Sequence, residues 1–353
     1  MLTSLRTLLV PTCFIAFGLL LWPSPAAARR KDDVIIMKNG DRLTGEIKKL
    51  ENGQIYIDTG YTTSPIPIDW LQVEEVGSKA VYRIELSNGN RLTGVVTKVP
   101  AQAAAERDFR IQSGGVEEDF HAFEVVGIQS QKPNFWRQLR GSINLGSSFA
   151  SGSPAQMDFS ATATYLSTKY QMTGSVNSTV SGSSNGEKTN RHELNLNPQL
   201  YLSRNAYLGS YIDFLTSSQQ SLDLRTTLGG GYGRYMIRSN TKNFGWLGGL
   251  VYTVEKYAPS SGLTPRQNNV EGLLALGFDW NRFNYFTWTT SFQVFPSLTQ
   301  AGRIRTNLNH TFSLKLTNNF SLNFNVWDTF DSHPPPNARK NDLGIGTSLG
   351  WTF

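Results

Sequence analysis

The feature that most limits what this chain can fold into is a two-residue alternation running from Leu139 to the C-terminus. In segments of about ten residues, apolar side chains hold one register and polar, mostly uncharged ones the other. Phe159, Ala161, Ala163 and Tyr165 alternate with Asp158, Ser160, Thr162 and Thr164. Phe320, Leu322, Phe324 and Val326 alternate with Ser321, Asn323 and Asn325. Successive side chains of a strand point to opposite faces, so each segment reads as a strand with one apolar and one polar face. About twelve such segments fit between Leu139 and the chain end. Short turns fall near residues 167–169, 203–205, 281–283 and 317–319, with a medium one at 236–242. Longer polar loops fall near 151–156, 181–190, 216–221, 258–267, 296–302 and 332–340. Alternating short and long connections, apolar-out and polar-in faces and an even strand count predict an antiparallel transmembrane β-barrel.

The chain start supports export. Arg6 precedes an apolar run from Leu8 to Trp22, and Ala26-Ala27-Ala28 closes it with small residues. This is the layout of a secretory signal peptide, cleaved after Ala28. Pro11, Pro23 and Pro25 interrupt the run too often for a retained anchor. The single cysteine, Cys13, lies within it, so the mature chain has no thiol for a disulfide, metal ligand or nucleophile. No other apolar run reaches the roughly 18 residues of a membrane helix. An exported chain that crosses a membrane without helices must close its strands, because lipid satisfies no backbone hydrogen bond.

Charge divides the chain. Residues 29–130 carry 13 basic and 16 acidic side chains, whereas residues 131–353 carry 19 basic and 11 acidic. The boundary near Lys132-Pro133 separates a charge-dense first part from the charge-poor barrel. The expected organisation is a signal peptide (1–28), two small β units (29–78 and 79–131) and the barrel (132–353).

The two units repeat a pattern. Residues 34–47 contain Asn39-Gly40-Asp41-Arg42-Leu43-Thr44-Gly45, and residues 82–95 contain Asn88-Gly89-Asn90-Arg91-Leu92-Thr93-Gly94. Asn-Gly between apolar alternating runs signals a hairpin, expected here as a type I′ turn with φ > 0 at both central residues. Gly45 and Gly94 mark a sharp bend in the following strand. Each unit is long enough for a five-stranded barrel and resembles the Sm-like fold. Sm proteins bind RNA through an Asp-x-x-x-Asn pattern and an Arg-Gly. The corresponding stretches here, residues 50–54 and 70–73, have no Arg-Gly, and the acidic balance opposes nucleic-acid binding. A periplasmic partner is the expectation for these units.

The polar register of the barrel carries charged residues that would face its lumen: Arg140, Arg225, Arg303, Arg305, Glu255 and Glu271. Two readings follow. A water-filled lumen lined by these arginines would concentrate anions. Alternatively, they pair with carboxylates such as Asp213, Asp223, Glu255 and Glu271 and, with Tyr201, Tyr207 and Tyr211, plug the barrel. The final strand places Leu343, Ile345, Thr347, Leu349, Trp351 and Phe353 on alternate positions and ends on the aromatic. It resembles the signal read by the outer-membrane barrel assembly machinery. Lipid and lipopolysaccharide are the other expected partners.

Enzyme chemistry finds little purchase. His121, His192, His310 and His333 do not pair at a metal-ligand spacing. Outer-membrane phospholipases use a lipid-facing His with a Ser two residues later. His310 lies on the apolar register, but Phe312 stands where that Ser would be. Gly229-Gly230-Gly231 lacks a following Gly-Lys-Ser/Thr and is no phosphate loop. The chain is read as a non-enzyme without cofactors.

The run Ser221-Leu222-Asp223-Leu224-Arg225-Thr226-Thr227-Leu228-Gly229-Gly230-Gly231-Tyr232-Gly233, with the strand from Trp246 to Tyr257, resembles domain-of-unknown-function family 481. That family is described as salt-induced outer-membrane proteins. The resemblance implies fold and location, and no substrate or catalytic residue.

Overall fold

Two glycines shape the N-terminal part. A Cβ on Gly45 would stand 2.6 Å from the carbonyl oxygen of Asp58, and one on Gly94 would stand 1.9 Å from that of Gln112. Only glycine lets the long second strand of each unit bend beneath its neighbour's backbone. The computed structural model describes residues 32–98, 108–113, 116–130, 139–148, 155–167, 169–182, 188–202, 205–258, 266–282, 285–317, 319–334 and 339–352. The expected signal peptide and Phe353 lie outside them.

The first unit comprises β1 (Asp33–Met37), β2 (Arg42–Glu51), β3 (Gln54–Asp58), β4 (Ile66–Asp69) and β5 (Val73–Gly77). The second comprises β6 (Tyr82–Leu86), β7 (Arg91–Lys98), β8 (Phe109–Ser113), β9 (Val116–Phe120) and β10 (Val125–Ser130). In each, the fifth strand pairs with the first, and the next three follow in order. The sequence repeat is thus a repeat of topology. The units are not two separate closed barrels, however. The end of β2 pairs with β10, Leu50 opposite Ile128, and joins all ten strands in one open sheet. One core serves both units and includes Ile35, Ile57, Trp70, Ile84, Phe109 and Ile111. Trp70 stacks on Phe109 at 4.8 Å across the repeat. Sharing a core buries apolar surface that neither unit of about 45 residues could cover alone.

The hairpin turns also differ from expectation. Gly40 and Gly89 both have φ of 89°, but Asn39 and Asn88 are not among the residues of positive φ. Gly40 N–H donates to Met37 O, and Met37 N–H to Asp41 O. This is a type I turn closed by a left-handed glycine, a three-residue loop with a bulge. The type I′ turn is at Asn52-Gly53, where φ is 54° and 75°.

Twelve strands follow: β11 (Leu139–Ser148), β12 (Ala155–Leu166), β13 (Tyr170–Gly182), β14 (Lys188–Tyr201), β15 (Ala206–Ser217), β16 (Leu222–Arg238), β17 (Lys242–Tyr257), β18 (Arg266–Arg282), β19 (Phe286–Pro296), β20 (Ile304–Lys315), β21 (Phe320–Asp331) and β22 (Asn341–Thr352). Each pairs antiparallel with the next, and β22 pairs with β11 to close the barrel, Leu145 opposite Leu349. Closure leaves no unpaired sheet edge.

The alternation fixes which side chains face out. Leu145, Met172, Leu250, Leu274, Ile345 and Leu349 are all exposed on the exterior. Each would forgo about 1.5–3 kcal/mol if left in water, and lipid removes that cost. An apolar exterior, a polar interior and an even strand count define an outer-membrane β-barrel. Leu343, Ile345, Leu349 and Trp351 of the terminal strand belong to this lipid-facing set.

Candidate functional site: the barrel lumen

The interior is divided lengthwise. One half is filled. Gly209, Gly231 and Gly249 occupy inward positions opposite one another on β15, β16 and β17. With no side chain there, the wall accepts rings directly. A Cβ on the inward Gly233 would fall 2.3 Å from the ring of Tyr207. Tyr207, Tyr211, Leu247, Val251, Leu273 and Phe295 form a buried apolar cluster over this stripe, and Tyr201 and Tyr235 pack against it.

Toward the long-loop end, an ion network continues the filling. Arg225 Nε donates to Glu255 Oε1 at 2.7 Å. Arg303 donates from Nη1 to Glu255 Oε2 at 2.8 Å and from Nε to Asp331 Oδ1 at 3.1 Å. Arg305 Nε donates to Glu271 Oε1 at 2.8 Å, and Thr253 Oγ1 donates to Glu271 Oε2 at 2.6 Å. Tyr257 donates its hydroxyl to Glu255 at 2.7 Å. The three guanidiniums meet three carboxylates, and all six residues are buried. Such groups tolerate burial only when paired and hydrogen-bonded.

Arg225, Arg303 and Arg305 therefore face the interior, but their charge is cancelled there. The reading in which they draw anions into water is not what the geometry provides. Their partners are Glu255 and Glu271, as the plug reading had it, together with Asp331. Asp331 is fixed only by the register of β21 against β20 (Arg305 opposite Asp331). Arg140 is not in this network. At the short-turn end it donates from Nη1 to Glu51 Oε1 of the N-terminal module at 3.0 Å.

The other half, walled by β11–β14 and β19–β22, is open. A cavity of about 810 Å³ runs along it. Hydroxyls and amides make up much of its lining, among them Ser142, Asn144, Thr162, Asn177, Asn195, Thr289, Gln293, Asn309 and Asn325. At the short-turn end its rim includes Lys49, Glu51, Asn52, Tyr56 and Pro65 of the module, which sits at this mouth. Lys315 Nζ reaches Tyr56 Oη at 3.3 Å and Gln54 Oε1 at 3.4 Å. Asn205 donates to the Ser87 carbonyl at 2.8 Å. Burial against the barrel rim would push the Glu51 carboxyl up, but Lys49 and Arg140 outweigh it and hold it down at about 2.

Toward the long-loop end a second cavity of about 50 Å³ begins. Thr179, Arg191 and Trp327 line both cavities and mark the narrow place between them. Trp327 stands on the otherwise polar register of β21, opposite Gly344. A Cβ on Gly344 would lie 1.9 Å from its ring, so the indole lies against bare backbone. Arg191 bonds Glu193 at 3.0 Å and Asp342 at 3.2 Å. Asp158 accepts from Thr179 Oγ1 at 2.8 Å and from Gln156. Nothing in the chain's residue pattern announces this constriction, except that Trp327 is a large aromatic on the register of Asn325 and Thr329.

His310 is on the exterior register, with Nδ1 2.9 Å from Thr290 Oγ1 on the neighbouring strand. Among the described residues no group of three His, Cys, Asp or Glu is placed to hold a metal ion.

Residues 143–353 match a family model described as protein of unknown function, DUF481. No curated protein matches the chain. Among solved structures, a NanC porin is similar at a TM-score of 0.38 and 11% identity, over 61% of this chain and 98% of that one. The COG4313 outer membrane channel from Pseudomonas putida F1 is similar at 0.35 and 12%, over 61% and 94%. The translocator domain of autotransporter NalP from Neisseria meningitidis is similar at 0.33 and 16%, over 61% and 88%. These are likenesses of architecture.

Proposed function

The chain belongs to the DUF481 family of proteins of unknown function, and on that premise we propose that this outer-membrane barrel is a narrow channel for small polar solutes. The observation that carries this is the polar cavity of about 810 Å³ along one half of the lumen. A barrel built only as a scaffold has no need to leave hydroxyls and amides facing an unfilled space. Eight strands suffice for side chains to fill an interior, and twelve enclose more. The filled half narrows the passage to one side, and Trp327 with Arg191 narrows it again near the long loops. No catalytic step is part of this function.

The module at the short-turn end lies in the periplasm on this reading. It follows the expected export signal of residues 1–28, and long loops of such barrels face outward. Its rim residues Lys49, Glu51 and Tyr56 then form the periplasmic mouth. The mature chain begins at or near Arg29, and the terminal strand ending on Phe353 is read by the barrel assembly machinery. Deletion of Phe353 should lower the amount of heat-modifiable barrel. Undiminished levels would remove that role.

Conductance of the purified full-length protein in planar bilayers tests the channel. Discrete steps of small amplitude are expected. Their absence, with heat-modifiable migration intact, leaves a closed barrel whose module binds a periplasmic partner.

A further inference from the structure

We propose that the passage prefers cations, and among organic solutes those bearing an amine, with Asp158, Glu193 and Asp342 setting the preference and Arg191 limiting it. This rests on the channel reading above, and it reverses the preference that the arginine-rich composition suggests.

The charges have to be counted along the open path rather than over the whole barrel. The three interior arginines of the plug are matched by three carboxylates and leave no net formal charge. The narrow place is different. Asp158 and Glu193 line the larger cavity, Asp342 lines the smaller one, and Arg191 lines both. Three carboxylates against one guanidinium leave a formal charge of minus two. Arg191 is already engaged by Glu193 and Asp342. Among the described residues Asp158 is hydrogen-bonded by neutral donors, Thr179 and Gln156, and forms no ion pair. Asp213, opposite Asn195 and two positions from Glu193 in that strand pairing, is buried, and its Oδ2 has no hydrogen-bond partner among the described residues.

The mouth carries the opposite balance, Lys49 and Lys315 against Glu51. It is the wide end, where water and salt screen charge over about 8 Å. At the constriction, low-dielectric walls focus the field, so the narrow acidic place decides which ion passes. Gly346 makes room for this: a Cβ there would lie 3.2 Å from Asp158 Oδ2.

The test is the reversal potential of the full-length protein in a potassium chloride gradient, with ethylammonium and acetate as organic probes. The expected result is potassium favoured over chloride by about tenfold at low salt, and ethylammonium over acetate. Asp158→Asn with Asp342→Asn leaves Arg191 and Glu193, formally neutral, and should bring the ratio near one. Arg191→Gln should raise it. Asp158→Asn alone keeps its hydrogen-bond geometry and should lower the ratio part-way. Heat-modifiable migration confirms that each variant is folded. Chloride preference in the unmodified protein overturns the proposal while the channel stands, and so does an unchanged ratio in the folded double variant. Absence of any conductance overturns both.

Discussion

Arg238, the last residue of β16, forms an ion pair with Glu85 of β6 and so ties the barrel wall to the N-terminal module. A bulge between Tyr235 and Ile237 shifts the register so that Arg238 reaches this partner. Glu85 also bonds Arg91 at 2.8 Å and stands 3.7 Å from Arg83. Arg91 in turn stacks over Tyr201 of the barrel at 3.4 Å. One carboxylate thus serves three buried guanidiniums. Glu85→Gln should loosen the module by about 3 kcal/mol, since it strands those charges. Faster proteolysis within residues 32–130, with unchanged heat-modifiable migration of the barrel, is the expected readout. Equal protection in both proteins would show that the ion pair does not hold the junction.

The contact at Glu51 is pH-dependent. Its folded value of about 2 lies below the ordinary 4.5. A lowered carboxyl contributes stability fully above its unfolded value and loses it as pH falls through the folded one. Docking of the module should therefore hold at neutral pH and weaken between about pH 4.5 and pH 2. Hydrogen exchange of β2 and β3 across that window would detect it. In Glu51→Gln the change assigned to this group should vanish; a profile identical to the unmodified protein's would refute the assignment.

Gly344 is the seat of Trp327. With a methyl group at 1.9 Å from the ring, Gly344→Ala must push the indole into the opening. Single-channel conductance should fall, whereas Trp327→Ala should raise it roughly twofold or more. Equal conductance in all three proteins would mean that the narrow place is elsewhere.

Arg305 and Glu271 form the deepest pair of the plug, with Glu271 fully buried. Arg305→Leu leaves that carboxylate unpaired and should cost about 3–5 kcal/mol. The temperature of the heat-modification shift should drop accordingly. Leucine at both positions should recover much of the loss, because a well-packed apolar pair can replace a buried ion pair. A double variant no more stable than Arg305→Leu would count against an isolated pair.

The sequence by itself determined the barrel. Period-two alternation assigns each side chain to lipid or lumen, short and long connections assign the ends, and about twelve segments are enough for a ring; alternation and connection length are local properties of the chain. It likewise determined the repeat, through Asn39-Gly40 and Asn88-Gly89 and the bends at Gly45 and Gly94. Only the tertiary structure decided the rest. The turn type depended on how the bulge after Met37 and Leu86 met its neighbours, and the joining of the two units depended on Leu50 finding Ile128. Inside the barrel, the polar register says that Arg303 points inward but not what it meets. Glu255 and Asp331 come to it from β17 and β21, strands on either side whose positions are set by ring closure and stagger. The same closure brings Arg191 of β14 to Asp342 of β22, 151 positions apart. Charge composition adds all such residues together, whereas a pore feels only those left unpaired along its open side. That is why a basic chain folds into a barrel with an acidic narrow place.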